Sequence, residues 1–429
     1  MRRIAILLLI LATISSAASA DWPRFRGPNG SGIGEATTVP SEWTEDDYNW
    51  TTNLPGEGHG SPVIIGERIF LLCGDLYSAG RTVVCINSDD GKILWKKGFK
   101  SAPHYLHRDN NYAASTPAAD AGGVVSSWTT PKTFIVVALD NDGNEVWKRD
   151  LGEYKAAWGG SPSPIIVDDM VIILNEQDDP KYMSMFLPEG TPVTAPGESY
   201  AIALDRATGE TRWKHDRITQ LANYATPCVR ELGGGKKEVI FFGAGNGMTA
   251  IDPSTGEVNW ELRDVFAISV ARIVMSSLLA GDLIMGTSGQ GSGLEMVAVR
   301  PPSGKDDKPE IAFKVTESIP LVPTALYKDD RVYLTCETGY VSCVNATTGE
   351  YLWRERIRRS KFNSSPIWAD GRLFCVDIRG NVIVLAAGDT FKELGRTSLG
   401  DDSRATPAVA HGSMYFRAGT QLLSIGGKK

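Results

Sequence analysis

Ala203-Leu204-Asp205-Arg206-Ala207-Thr208-Gly209-Glu210-Thr211-Arg212-Trp213 is the stretch on which the reading turns, because the chain repeats it. Ala250, Asp252, Thr255-Gly256 and Trp260 keep its spacing, and so do Cys343, Asn345, Thr348-Gly349 and Trp353. Cys85, Asn87, Asp90-Gly91 and Trp95 vary only the small and polar residues, while Ala138, Asp140, Asp142-Gly143 and Trp147 make a shorter copy. Self-similarity at a fixed period is the signature of an architecture in which each unit buries a face against the next.

A second marker counts the units. Ser/Thr-Pro pairs precede apolar runs at Pro62, Pro117, Pro164, Pro227, Pro366 and Pro407, Val322-Pro323-Thr324 is a looser version, and Ser276-Ser277 takes the matching place. The starts recur near the ~40–50 residue period of four-stranded propeller blades. Within each unit, short β-branched and apolar runs bounded by Gly, Asp, Asn and Pro read as strands and turns. The expected fold is all-β, an eight-bladed β-propeller of four-stranded antiparallel blades. The eighth unit stops after Met414-Tyr415-Phe416 and Gln421-Leu422-Leu423-Ser424-Ile425, without a fourth strand. Asn49-Trp50-Thr51 is unclaimed at the other end and is expected to supply it, so that the last blade is closed by the N-terminal strand and no open edge remains.

Residues 1–20 read as a signal peptide: Arg2-Arg3, an apolar core from Ile4 to Ile14, and Ala18-Ser19-Ala20 at the cleavage site. Residues 21–42 are then an N-terminal arm and 43–429 the propeller. Export to the periplasm or outside the cell is expected, with no transmembrane segment in the mature chain. A net charge of −7, with 22% charged and 42% hydrophobic residues, describes a globular surface unsuited to nucleic acid. The basic run Arg354, Arg356, Arg358, Arg359 and Lys361 reads as a charged outer strand that resists edge pairing. Six cysteines show no Cys-x-x-Cys spacing; Cys85 and Cys343 stand where other units carry Ala, so they read as buried fillers.

The Ala-x-Asp-x-x-Thr-Gly-x-x-x-Trp units resemble the tryptophan-docking motif of the pyrroloquinoline-quinone (PQQ) repeat family, over residues from about Trp43 to Gly427. The opening Asp21-Trp22-Pro23-Arg24-Phe25-Arg26-Gly27-Pro28 is similar to the start of exported planctomycete-type members. That resemblance implies one of two roles, because the superfamily holds quinoprotein alcohol dehydrogenases and also non-catalytic BamB-like propellers of outer-membrane assembly. The enzyme version implies a vicinal Cys-Cys pair, a calcium or lanthanide site of Glu, Asn and Asp, and a catalytic Asp. No two cysteines are adjacent here. Asp140-Asn141-Asp142-Gly143-Asn144 imitates half an EF-hand loop, but Leu151 stands where the closing Glu belongs, so the string reads as the repeat's own turn. No Gly-x-Ser-x-Gly elbow, Walker loop or His-Glu-x-x-His helix occurs. Gly286-Thr287-Ser288-Gly289-Gln290-Gly291-Ser292-Gly293 reads as a strand connection without the helix that would hold a phosphate.

The expectation is therefore an exported non-catalytic scaffold or protein-interaction module with an envelope or secreted partner, a monomer, with no catalytic residue, metal or cofactor. The alternative is a PQQ-dependent dehydrogenase-like enzyme, or a binder of a quinone or sugar at the channel mouth. Strands alternate in direction, so the residues just before each Ser/Thr-Pro ring one face of the channel. His59, Tyr112, Trp158, Tyr224, Arg272, Asn363 and Arg404 are the candidates there, joined by His104 and His107 from the loop Ser101–Ala114. The loop Asn175–Ser199, with Met183, Met185, Phe186 and Leu187, shares that face and reads either as a plug or as a contact surface. Trp50, Trp95, Trp147, Trp213, Trp260 and Trp353 recur once per unit and are expected to dock blade against blade.

Overall fold

A computed structural model describes residues 21–183, 190, 197–266, 272–289, 293–304 and 306–427. The strands form eight antiparallel sheets. The blades span 63–99, 118–150, 165–217, 228–262, 278–315, 326–356 and 367–398, and the eighth joins 408–426 to Tyr48–Asn53. Closure runs antiparallel along Gln421–Gly426, with Trp50 opposite Ser424 and Asn53 opposite Gln421. The expected count and the expected closure both hold.

Burial follows the position of a strand in its blade. Met170–Asn175 is buried along its whole length and Ser199–Asp205 along nearly all of it, because neighbouring blades cover both faces; both read as continuous apolar runs. On the outer strand Thr211–Arg217 only Trp213 and Arg217 are buried. The indole of Trp213 lies on the turn of the next blade and donates from Nε1 to Pro253 O at 2.7 Å. Trp50, Trp95, Trp147 and Trp353 do the same to Ser88, Asn141, Arg206 and Gly388 at 2.8–3.0 Å. The Thr-Gly turn is what admits the ring. Gly209 has φ +73°, and a Cβ there would sit 2.6 Å from Trp147 Cδ2. Three blades vary the device, and in blade seven Gly395 holds the Trp position. Trp260 packs among blade-five residues Ile284, Val297 and Val299 but turns its N–H to Glu238 of its own blade. Phe313 takes the Trp place in blade five, over Gly349.

Two sequence expectations shift in detail. Gly286, Thr287 and Ser288 belong to the second strand of blade five, so only Gly289–Gly293 forms the connection, with 290–292 outside the described residues. The sixth start falls at Thr324-Ala325 rather than at Pro323, since Thr324 takes the hydrogen-bonding place of Ser/Thr in the other units. The string at Asp140 is a turn, its carboxylate accepting from the backbone N–H of Asp142 and Asn144. All six cysteines are free and buried. The proposed signal segment lies outside the described residues, as do the side chain of Met183 and residues Met185, Phe186 and Leu187. No helix among the described residues is long and apolar enough to cross a membrane.

The arm is built into the wheel. Trp22 pairs with Ile64 of blade one, Pro23 O accepts from Ala119 of blade two, and Arg24 reaches Pro227 O of blade four at 2.5 Å. Arg26 donates to Thr324 O and Ala325 O of blade six at 2.5 and 2.7 Å, and Ile33–Gly34 pairs in parallel with blade seven. Because the innermost strands of the blades supply all these partners, the arm crosses the channel and fills it. Ala36, Val39 and Trp43 then continue it into the core between blades seven and eight. Gly395 admits the chain there, since a Cβ would lie 2.4 Å from Ser41 O.

Candidate functional site

Above the arm the channel opens into a cavity of about 280 Å³. Its wall carries the Ser/Thr of seven blade starts, from Thr116 to Thr406, and Ser61 stands behind them. Ser61 N–H donates to Thr116 Oγ1, and Thr116 N–H to Ser163 Oγ. The relay resumes from Thr226 to Ser276, Thr324, Ser365 and Thr406, and Thr406 closes it on Ser61, all at 2.9–3.1 Å. Seven of the eight blade starts thus hand a backbone N–H to the next blade's hydroxyl. The hydroxyl is the acceptor in each of these bonds, so its own hydrogen stays free of the ring. Phe25, from the arm, lines the cavity together with this crown.

Six of the nine sequence candidates line the cavity together: His59, Trp158, Tyr224, Arg272, Asn363 and Arg404. His107 stands behind them, stacked on the Trp158 ring with centroids 3.6 Å apart. His104 and Tyr112 lie to one side. The Tyr112 hydroxyl donates to His104 O, its ring carries Arg81 at 4.8 Å, and His104 lines a separate groove with Phe99, Trp128 and Lys148. The three-residue spacing of His104 and His107 therefore does not converge on one point. No cluster of three or more His, Cys, Asp or Glu suited to a metal occurs among the described residues.

Arg272 is held from several sides. Its Nη1 donates to Tyr224 Oη at 3.0 Å, its Cζ lies 5.4 Å from the Trp158 ring centre, and Nη2 is 3.8 Å from Asp178. Asp178 is buried and already accepts from the backbone N–H of Ala157 and Ala222. Arg404 has Asp109 at 3.7 Å, while its Nε is buried without a partner among the described residues. Burial, then the charges of Arg404 and Arg417, push the His59 imidazole down to about 3, so it is neutral at physiological pH. Arg417 is itself buried and donates to Gly60 O, Leu72 O and Cys73 Sγ, without a carboxylate within 4.0 Å among the described residues. Burial lowers the Arg24 and Arg26 guanidinium groups below the cavity to about 10 and about 9, which leaves both charged at pH 7.

Sequence reading missed Phe25, Asp109 and Asn110 as lining residues, and missed the hydroxyl crown. Asp109 and Asn110 stood in the elaborated loop, and Asn110 now ties that loop to Trp158 O at 2.6 Å. The crown had a signal in the recurring Ser/Thr before Pro.

With this geometry the relatives can be placed. The family described as outer membrane protein assembly factor BamB matches residues 43–180, 79–312 and 314–393. The chain belongs to that family, a PQQ-repeat β-propeller family. No curated protein matches the sequence. Among solved structures, BamB from Moraxella catarrhalis is similar at 16% identity, covering 88% of this chain and 98% of its own, with a TM-score of 0.62. The quinohemoprotein alcohol dehydrogenase from Comamonas testosteroni is similar at 13% identity, covering 95% of this chain and 81% of its own, with a TM-score of 0.64. Sqt1 from Saccharomyces cerevisiae reaches a TM-score of 0.61 at 10% identity, over 91% of this chain and 99% of its own. At such identities these three share the wheel, and the chemistry has to be argued from side chains.

Proposed function

We infer that this family member is an exported, non-catalytic propeller that acts as a scaffold in the cell envelope, presenting one face of the wheel to a protein partner as a monomer. The observation that carries the reading is the arm: Trp22 to Gly34 occupies the channel of this chain with its own backbone and side chains. The donor set at the mouth supports it further. A calcium-bound quinone needs converging oxygen ligands, carboxylates above all. Among the described residues Asp109 is the single carboxylate lining the cavity, it lies against Arg404, and no cysteine lines the cavity. The residues present do not fit that pair. A sugar would need an open aromatic face, and one face of Trp158 is covered by His107.

The test has two arms. Purified protein mixed with PQQ and calcium is expected to show no calcium-dependent quinone uptake and no dye-linked alcohol oxidation. Photo-crosslinking from position 105, where Tyr105 is 50% exposed on the mouth-side loop, is expected to trap one discrete envelope protein in cells. Turnover with the quinone, or crosslinking to nothing, would sink the scaffold reading.

A further inference from the structure

The cavity wall sets guanidinium, amide and hydroxyl groups among apolar residues. The crown presents hydroxyls that each accept one backbone N–H, which leaves each an O–H hydrogen and one lone pair to offer. Two guanidinium groups stand over the crown. Arg272 is fixed between the Trp158 ring and the Tyr224 hydroxyl, and Arg404 keeps Nε buried with no partner among the described residues. Trp158 Nε1 is likewise buried and without a partner. Asn363 adds an amide to the same wall.

Charge leans the same way. Asp109 and Asp178, the carboxylates facing Arg404 and Arg272, lie 3.7 and 3.8 Å from them. Below and beside the crown, Arg24, Arg26 and Arg417 are buried on backbone carbonyls and a thiol, with no carboxylate within 4.0 Å among the described residues. His59 contributes no negative charge. A bowl with surplus fixed guanidinium charge and hydroxyls on its wall favours an anion, because charge of one sign lining a concave surface focuses the field there.

The geometry points to an oxyanion-binding site at the channel mouth, in which Arg404, Arg272 and the hydroxyl crown receive the carboxylate or phosphoryl group of a small organic acid. Planar guanidinium groups suit both head groups through paired N–H donors. The cavity volume of about 280 Å³ limits the ligand to a small molecule. This site is independent of the scaffold role, since a propeller that holds a partner on its rim can bind an anion at its centre.

Titration calorimetry on the full mature protein tests it, with succinate and citrate in one arm and inorganic phosphate and glycerol 3-phosphate in the other. Saturable one-to-one binding tighter than roughly 1 mM is expected in one of the two arms, and the arm that saturates names the head group. Arg404→Gln should weaken it roughly tenfold to a hundredfold, the loss of a charge-assisted hydrogen bond. Asn363→Asp keeps the shape and adds a negative charge, so it should abolish binding while thermal unfolding stays near wild type. Arg354→Gln, on the outer strand, should bind normally. Saturation by neither arm overturns the assignment. So does binding that folded Arg404→Gln and Asn363→Asp leave intact, because the anion would then sit elsewhere.

Discussion

Trp213 separates two things that an indole wedge does, filling space and closing a hydrogen bond. The residue is 8% exposed and covers the Thr-Gly turn of the next blade, where a Cβ on Gly256 would stand 2.7 Å from Trp213 Cγ. A buried Trp removes ~150–250 Å² from water, which at ~25 cal/mol/Å² is worth ~4–6 kcal/mol. Allowance for a compact unfolded chain lowers this to ~3–5 kcal/mol, in line with large-to-small core substitutions. The bond to Pro253 O adds about 1 kcal/mol. Trp213→Ala should therefore lose ~3–5 kcal/mol, whereas Trp213→Phe, which keeps most of the ring, should lose ~1–2 kcal/mol. Blade five already uses the second arrangement, because Phe313 covers Gly349 without any donor. Urea unfolding followed by far-ultraviolet circular dichroism measures both variants. If the two cost the same, the ring is not the wedge, and the account of blade-to-blade packing fails.

Other expectations concern titration, thiols and the arm. His59 has its pKa depressed to about 3 when folded, against ~6.5 unfolded, so the unfolded chain takes the proton first. Stability should then fall as pH drops from ~6.5 toward 3 and be indifferent to this group above ~6.5, and His59→Gln should flatten that slope in urea midpoints taken at several pH values. Cys85, Cys228, Cys343 and Cys375 are pushed up to about 12 by burial, so a thiol reagent at pH 8 should modify them only after unfolding; rapid labelling of native protein would contradict their burial. Arg26→Ala should lower stability by ~2–4 kcal/mol, because Thr324 O and Ala325 O lose their donor inside the channel. A thermal midpoint equal to wild type would show that the arm is only loosely seated.

The wheel was legible because its rule is local. An Asp, a Thr-Gly turn and a Trp at fixed spacing set the turn, the φ > 0 position and the wedge within a dozen residues, and repetition did the rest. Closure by Tyr48–Asn53 followed from counting strands. The mouth was legible for the same reason, since strand direction alone placed His59, Trp158, Tyr224, Arg272, Asn363 and Arg404 on one rim. What escaped notice depends on distant partners. Trp22-Pro23-Arg24-Phe25-Arg26 reads only as part of an N-terminal arm, yet Arg24 and Arg26 are buried on carbonyls 203 and 298 residues away. Nothing beside them in sequence signals those acceptors. His104, His107 and Tyr112 share a loop whose path no periodicity fixes, and none of them lines the cavity itself.

The clasp between Tyr48–Asn53 and Gln421–Gly426 also sets an order of events. A ribosome releases the first of these segments long before the second, so a growing chain can stack seven sheets while the eighth lacks a side. Its exposed backbone would offer a template to any stray strand until the final hairpin arrives. Closing a loop that long adds little entropy beyond that of a shorter one, yet it demands a search across the whole molecule. Completing the circle is then expected late in folding, and the interval before it is when the nascent wheel most needs shelter.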